Sequence, residues 1–304
     1  MRGVAIKSTG SQYLVRLEDG EKLLCRIRGN LRLKGFEATN PVTVGDYVEV
    51  EISGGTGLIT EVHARKNYII RKSVNLSKQI QIIAANLDRA YVVSTPVLPK
   101  ISLGFIDRFL ATAEAYSIPG GIIFNKSDIY NEEIWKWMNE LKELYERINY
   151  KVFIISAQQP STLDELKSEL KDKVNLFSGF SGVGKSSIIN ALIPGSNLKT
   201  SAISYQHQKG THTTTFAEMH ELPFGGFIID TPGIREFGTI DFDKFEVSHF
   251  FPEIFAASSK CKYNNCLHVN EADCAVLDAV NRGQIALSRY QSYVSILNND
   301  DFFK

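Results

Sequence analysis

The sequence predicts a multidomain chain: an N-terminal β-barrel of the OB type, a central α/β domain with a mostly parallel sheet, and a C-terminal α-helical segment built around metal ligands. Three observations predict it. Short alternating apolar runs with hairpin signals fill residues 1–64. From Ala90 onward strand-like and helix-like runs alternate, as βα units do. Near the end, Cys261, Cys266, His268 and Cys274 crowd into fourteen residues. The expected boundaries are 1–66, 67–240 and 241–304.

In the first unit, runs at 13–17 (YLVRL) and 24–28 (LCRIR) flank the turn Glu18-Asp19-Gly20-Glu21. Runs at 46–52 and 57–62 bracket Ser53-Gly54-Gly55-Thr56 in the same way. Small barrels of this kind often bind oligonucleotides on one sheet face; an SH3-like barrel that contacts only protein is the alternative. Net charge is zero, so global charge names no nucleic-acid partner. Its distribution says more. Lys22, Arg26, Arg28, Arg32 and Lys34 form one stretch without acids, and Arg65, Lys66, Arg71, Lys72 and Lys78 another. A solvated strand face is the alternative for either. Residues 65–82 read as a basic connector.

The second unit reads as strand 90–94, helix 106–116, strand 121–124, helix 131–148, strand 152–156, helix 163–170 and strand 174–177. In 131–148 the apolar residues Ile134, Trp137, Met138, Leu141, Leu144, Tyr145 and Ile148 repeat at 3.6 residues, behind Asn131 as N-cap. Strands alternating with helices predict a sheet covered on both faces, with ligands at the carboxyl ends of its strands.

Residues 179–187 (Gly179, Phe180, Ser181, Gly182, Val183, Gly184, Lys185, Ser186 and Ser187) match G-x-x-x-x-G-K-[ST] between a strand and a helix. The glycines let backbone N–H groups face phosphate oxygens, and the helix N-terminus adds partial positive charge. Lys185 is expected at the β/γ-phosphates and the Ser186 hydroxyl on Mg²⁺. A P-loop ATPase or kinase would use the same loop, so the base must be read elsewhere. Asn125, Lys126, Ser127 and Asp128 (N-K-x-D) follow a strand end, and an edge-on Asp128 carboxylate accepts two hydrogen bonds from guanine that adenine does not offer. Asn125 is expected beside the base, the Lys126 stem over its plane, and a backbone N–H of Ser156-Ala157 on its carbonyl. GTP and GDP are therefore the expected ligands.

Beyond the P-loop, 209–215 (KGTHTTT) is a hydroxyl-rich loop in which Thr213 and Thr214 are candidates for Mg²⁺ and the γ-phosphate. Asp230-Thr231-Pro232-Gly233 ends another strand; Asp230 would hold Mg²⁺ through water and the Gly233 N–H would meet the γ-phosphate. These read as two switch loops. Ordinary GTPases visit the P-loop first, then the switches, then base recognition. Here base recognition comes first, so the domain is circularly permuted and the second switch leads straight into the C-terminal segment.

In that segment three cysteines and His268 supply four N/S ligands, the set of a closed structural zinc site; reduced structural cysteines are the alternative. Ala286, Tyr290, Tyr293 and Leu297 share one helical face, which reads as packing.

Taken together, the barrel, NKSD at 125–128, GFSGVGKSS at 179–187, GTHTTT at 210–215, DTPGIREFG at 230–238 and the Cys₃His set resemble the RsgA/YjeQ family, bacterial GTPases of small ribosomal subunit biogenesis. Thr211 stands where the family's GRHTTT has a cation. The resemblance implies a late factor of 30S maturation that binds rRNA through its outer domains and hydrolyses GTP when docked. Ile234 stands where many GTPases place a water-orienting glutamine, so intrinsic turnover should be slow; His212 or a ribosomal group would then activate the water. An RNA-binding scaffold ordered by nucleotide is the competing class. No apolar run reaches the roughly eighteen residues of a membrane span, and MRGVAIKSTG lacks the h-region and cleavage site of a signal peptide, so a cytoplasmic monomer without a membrane partner is expected.

Overall fold

Five strands close a ring at the N-terminus: β1 (Arg2–Ser8), β2 (Tyr13–Leu17), β3 (Lys22–Ile27), β4 (Tyr47–Ser53) and β5 (Thr56–Val62). In this computed structural model, which describes residues 1–28, 41–72, 80–100, 102–198, 217–230 and 243–298, β1 pairs with both β2 and β4. β2 pairs with β3, β5 with β4, and β3 runs parallel to β5, which completes the barrel in the OB manner. Period-two alternation fills its core with Ala5, Tyr13, Val15, Leu17, Cys25, Val48, Val50 and Ile59. Burial pushes the Cys25 thiol up to about 11, so it packs as an inert apolar group. On β3 the opposite face carries Lys22, Leu24 and Arg26, with Arg28 just beyond, all exposed. Arg32 and Lys34 lie outside the described residues.

The stretch 65–82 is more than a connector. It carries most of a hairpin, β6 (Tyr68–Lys72) and β7 (Ile80–Ala85), joined to the barrel by the Ala85 N–H on Val44 O at 2.9 Å. Short length and a basic composition hid its strand pattern. Nor does Arg65 belong to a surface patch: it is only 9% exposed and forks onto the fully buried Asp46, at 2.6 Å (Nε–Oδ1) and 2.7 Å (Nη2–Oδ2). The Thr43 N–H donates to the same carboxylate at 2.8 Å.

The α/β unit follows as β8 (Arg89–Ser94), α1 (Leu103–Ala115), β9 (Gly120–Phe124), α2 (Glu132–Arg147), β10 (Lys151–Ile154), α3 (Asp164–Leu170), β11 (Val174–Ser178), α4 (Lys185–Leu192), β12 (Glu218–Glu221) and β13 (Phe227–Asp230). Its sheet runs β10-β9-β8-β11-β13-β12, parallel except for β12. β9 and β11 are buried along their whole length, as strands covered on both faces must be. Asn131 caps α2, its Oδ1 accepting the Ile134 N–H at 2.9 Å. β12 reads EMHE and offers no apolar run, so only pairing to β13 identifies it as a strand.

β12 also pairs with β1, at Lys7 and Glu218, whose side chains lie 3.2 Å apart, so barrel and α/β sheet are continuous. β1 is buried on both faces: Ala5 points into the barrel, Val4 and Ile6 into the α/β core. The C-terminal unit comprises α5 (Pro252–Ser258), α6 (Ala275–Asn281) and α7 (Leu287–Leu297), packed around Val247, Phe251, Ile254, Val276 and Tyr293. Among the described residues no helix is long and apolar enough to cross a membrane.

Removing the cation from a buried, hydrogen-bonded pair strands the carboxylate. Arg65→Met is therefore expected to cost about 3–5 kcal/mol in urea unfolding, and a loss under about 1 kcal/mol would show that the pair does not hold the hairpin to the barrel.

Candidate nucleotide site and Cys/His centre

β11 and β13 lie side by side in register, Phe177 opposite Asp230, so the glycine loop and the acidic strand end leave the sheet together. The loop can take its path only with glycines. Gly179 sits at φ +149°, and a Cβ there would meet the Val93 carbonyl oxygen at 2.3 Å. Gly184, at φ +96°, would place a Cβ 2.3 Å from Asn125 Nδ2. As the first residue flanking α4, Gly184 supplies no side-chain cap, which leaves the N–H groups of the first turn open to an anion.

Lys185 curls back over the loop, donating to Gly179 O at 2.7 Å and Phe180 O at 3.2 Å. Burial lowers its pKa, and Asp230 opposes that shift. Burial likewise raises the pKa of Asp230, against the pull of Lys185 and His220. Among the described residues, Asp230 Oδ1 and Ser178 Oγ are buried without a hydrogen-bond partner. An unpartnered carboxylate oxygen beside this glycine loop fits a hydrated divalent cation. Ser186 is half-buried in the first turn of α4, Ser187 follows it, Ser181 is exposed, and Val183 is buried in the core.

The N-K-x-D segment meets this loop directly. Asn125 is buried, and its carboxamide joins two loops: Nδ2 donates to Val183 O at 2.9 Å, while Oδ1 accepts the Ala157 N–H at 3.2 Å. It sits between the two loops. A guanine carbonyl would share the Ala157 N–H with Asn125, because the Ser156 N–H is already donated to Thr162 Oγ1 at 2.9 Å. Lys126 adopts φ +69°, costly for a side chain with a Cβ, and is held there by bonds from Nζ to Gly182 O at 2.8 Å and Leu98 O at 2.5 Å. Burial lowers its pKa, and Asp128 opposes the shift. Ser127 is buried, its N–H on Ile155 O at 3.0 Å. Asp128 is exposed, and its Oδ1 accepts the hydroxyl of the fully buried Ser156. One carboxylate oxygen is thus fixed in orientation from within the protein.

These linkages escaped the sequence. Ser156 was legible only as a backbone donor and Thr162 not at all, since their partners lie 28 and 6 residues away with no motif to mark them. His212, Thr213, Thr214, Gly233 and Ile234 lie outside the described residues.

The second centre is the Cys₃His set. The ligand atoms of Cys261, Cys266, His268 and Cys274 all lie within 4.8 Å of one another. Cys261 Sγ is 3.9 Å from Cys274 Sγ, and His268 Nδ1 is 3.6 and 3.5 Å from those two sulfurs. Tetrahedral zinc with ordinary Zn–S and Zn–N bonds requires edges of about 3.8 Å for S–S and about 3.5 Å for S–N. The set fits that ion. Glu271 organises the loop by accepting the N–H groups of Leu267, Val269 and Asn270 at 2.7, 2.9 and 3.1 Å. The aromatic face of α7 does more than pack: Tyr290 and Tyr293 donate their hydroxyls to His268 O at 2.8 Å and Leu267 O at 2.7 Å.

The family model for the RsgA GTPase matches residues 62–240, and that for the RsgA N-terminal domain matches residues 2–59. A small ribosomal subunit biogenesis GTPase RsgA of Phocaeicola vulgatus is 53% identical over 302 residues, covering 99% of this chain and 97% of its own. One of Flavobacterium psychrophilum is 49% identical over 305 residues, covering 99% and 94%. Of solved structures, YjeQ from Thermotoga maritima superposes with a TM-score of 0.80 at 34% identity, covering 98% of this chain and 97% of its own. YloQ, a circularly permuted GTPase, gives 0.76 at 30%, covering 100% and 96%.

Gly184→Ala should abolish binding of a fluorescent GDP analogue with the circular dichroism spectrum retained. The side chain costs about 1–2 kcal/mol in the left-handed backbone and also drives Asn125 off the loop; unchanged affinity would show that Asn125 and the loop are not coupled.

Proposed function

The chain belongs to the RsgA GTPase family, and on that premise we propose that it is a GTP hydrolase of late small-subunit maturation, binding rRNA and turning over when docked on the 30S particle. The observation that carries the reading is the junction at Asn125, where the N-K-x-D segment and the glycine loop share one side chain. A P-loop ATPase or kinase has no need of a carboxylate such as Asp128, oriented by Ser156 at that junction.

In this reading Asp128 selects guanine, Asn125 and Lys126 hold the base loop on the phosphate loop, and Ser127, Ser156 and Ala157 complete the base pocket. The backbone of 179–184 and the α4 N-terminus receive the phosphates, and Lys185 transfers its hydrogen bonds from Gly179 O and Phe180 O to the β/γ-phosphates. Ser186 would ligate Mg²⁺ directly and Asp230 through water, with Thr213, Thr214 and the Gly233 N–H on the γ-phosphate side. Mg²⁺, when bound, supplies charge neutralisation across the phosphates. Cys261, Cys266, His268 and Cys274 would hold one structural zinc, with all four positions taken by the protein.

The exposed β3 face with Lys22, Leu24, Arg26 and Arg28 supports the rRNA contact, since cations interleaved with apolar side chains suit a nucleic-acid backbone and its bases. A cytoplasmic monomer divided at 1–66, 67–240 and 241–304 completes the proposal. Ile234 orients no water, which assigns activation of the nucleophile to His212 or to the ribosome.

Two experiments test this. Asp128→Asn exchanges the acceptor pair for an acceptor and a donor, so preference should move from guanosine to xanthosine nucleotides in competition binding; unchanged preference would remove the base assignment. GTP hydrolysis should be slow alone and accelerate with purified small subunits. His212→Ala should abolish that acceleration with GTP affinity intact. Turnover that small subunits do not raise would instead indicate a nucleotide-ordered RNA scaffold.

A further inference from the structure

α1 belongs to two cores at once. Phe105, Ile106, Phe109 and Leu110 are buried in the α/β core, whereas Ala111 is buried with Phe251, Ile254 and Tyr293 of the C-terminal unit. In the first turn, behind the Ser102 cap, the Phe105 ring lies against Phe180 of the glycine loop, with centroids 4.4 Å apart. Two residues on, Asp107 is fully buried and accepts Arg289 Nη1 at 2.8 Å and the Tyr145 hydroxyl at 2.7 Å.

Arg289, on α7, is 1% exposed. Its Nε and Nη2 donate to Glu253 Oε1 and Oε2 at 2.7 and 3.2 Å, and its Cζ lies 4.5 Å from the Phe251 ring centroid. One guanidinium therefore joins α1, α5 and α7, and through Tyr145 also α2. Buried ionic clusters add little net stability over apolar packing of the same shape, because desolvation offsets attraction. What the planar guanidinium supplies is a fixed geometry toward two carboxylates at once, which an ammonium cannot reproduce. The residues following Arg289 on α7, Tyr290 and Tyr293, bond the Cys/His loop. The path from that loop to Phe180 is unbroken.

We propose that Arg289 is a positioning residue for the nucleotide loop. Its fork on Glu253 fixes the guanidinium within the C-terminal unit and its Nη1 bond to Asp107 ties α1 to that unit, so a displacement of the unit moves Phe105, and with it Phe180 and the backbone that cradles phosphate. The proposal rests on residues 179–187 being the phosphate loop; failure of that premise would show separately, as a wild-type chain that binds no GDP.

The test is a double-mutant cycle on the full chain, read by stopped-flow release of a fluorescent GDP analogue and by thermal unfolding. Arg289→Lys and Phe105→Leu should each accelerate release about three- to tenfold, and the double variant should release no faster than the faster single one. Ile296→Ala, a buried change two helical turns beyond Arg289 on α7, should lower Tm without altering release. Release by Arg289→Lys within twofold of wild type, effects that multiply in the double variant, or equal acceleration by Ile296→Ala at matched loss of Tm would each overturn the proposal. Should Arg289→Lys yield no folded chain, Asp107→Asn keeps the shape of its side chain and enters the same cycle with the same outcomes deciding it.

Discussion

The carboxamide of Asn125 is the joint on which the candidate nucleotide site depends. A carboxamide presents a donor and an acceptor in one rigid plane, and here the donor holds the glycine loop at Val183 while the acceptor holds Ala157. Gly184 passes so close to Nδ2 that no side chain fits between them. The N-K-x-D segment, the Ala157 turn and the glycine loop are thereby set at a fixed spacing. Neither loop needs to be stiff by itself.

A permuted chain order leaves these loops gathered in one place. The parallel strands β8, β9, β10, β11 and β13 deliver their following loops to one sheet edge, whatever order the chain visits them in. Permutation instead changes what each loop is attached to. β13 leads toward the C-terminal unit, while the sheet's far edge, β12, is paired to the barrel through β1.

The three units are welded by elements that serve two cores. β1 presents Ala5 to the barrel and Val4 and Ile6 to the α/β core, and α1 does the same between the α/β core and the C-terminal unit. At both seams a buried arginine meets a fully buried aspartate: Arg65 forks onto Asp46, and Arg289, whose fork holds Glu253, reaches Asp107 through Nη1 alone. Removing one member of such a pair leaves a buried charge without its partner, which is costly.

Motifs whose chemistry is local were legible in the sequence: the glycine loop, N-K-x-D, the Cys₃His set, the α2 cap at Asn131, and the hairpin turns at Gly20 and Gly54-Gly55. Each depends on φ/ψ freedom or donor type within a few residues, and this local information determined the fold class and the expectation of GTP. The hairpin β6–β7, the strand β12, the bond from Ser156 to Asp128, and the placing of Arg65 and Arg289 inside rather than on the surface were decided only by tertiary structure. Burial and hydrogen-bond partnership there depend on residues up to 182 positions apart, as for Arg289 and Asp107. No local pattern records whether a basic side chain will meet water or a buried carboxylate.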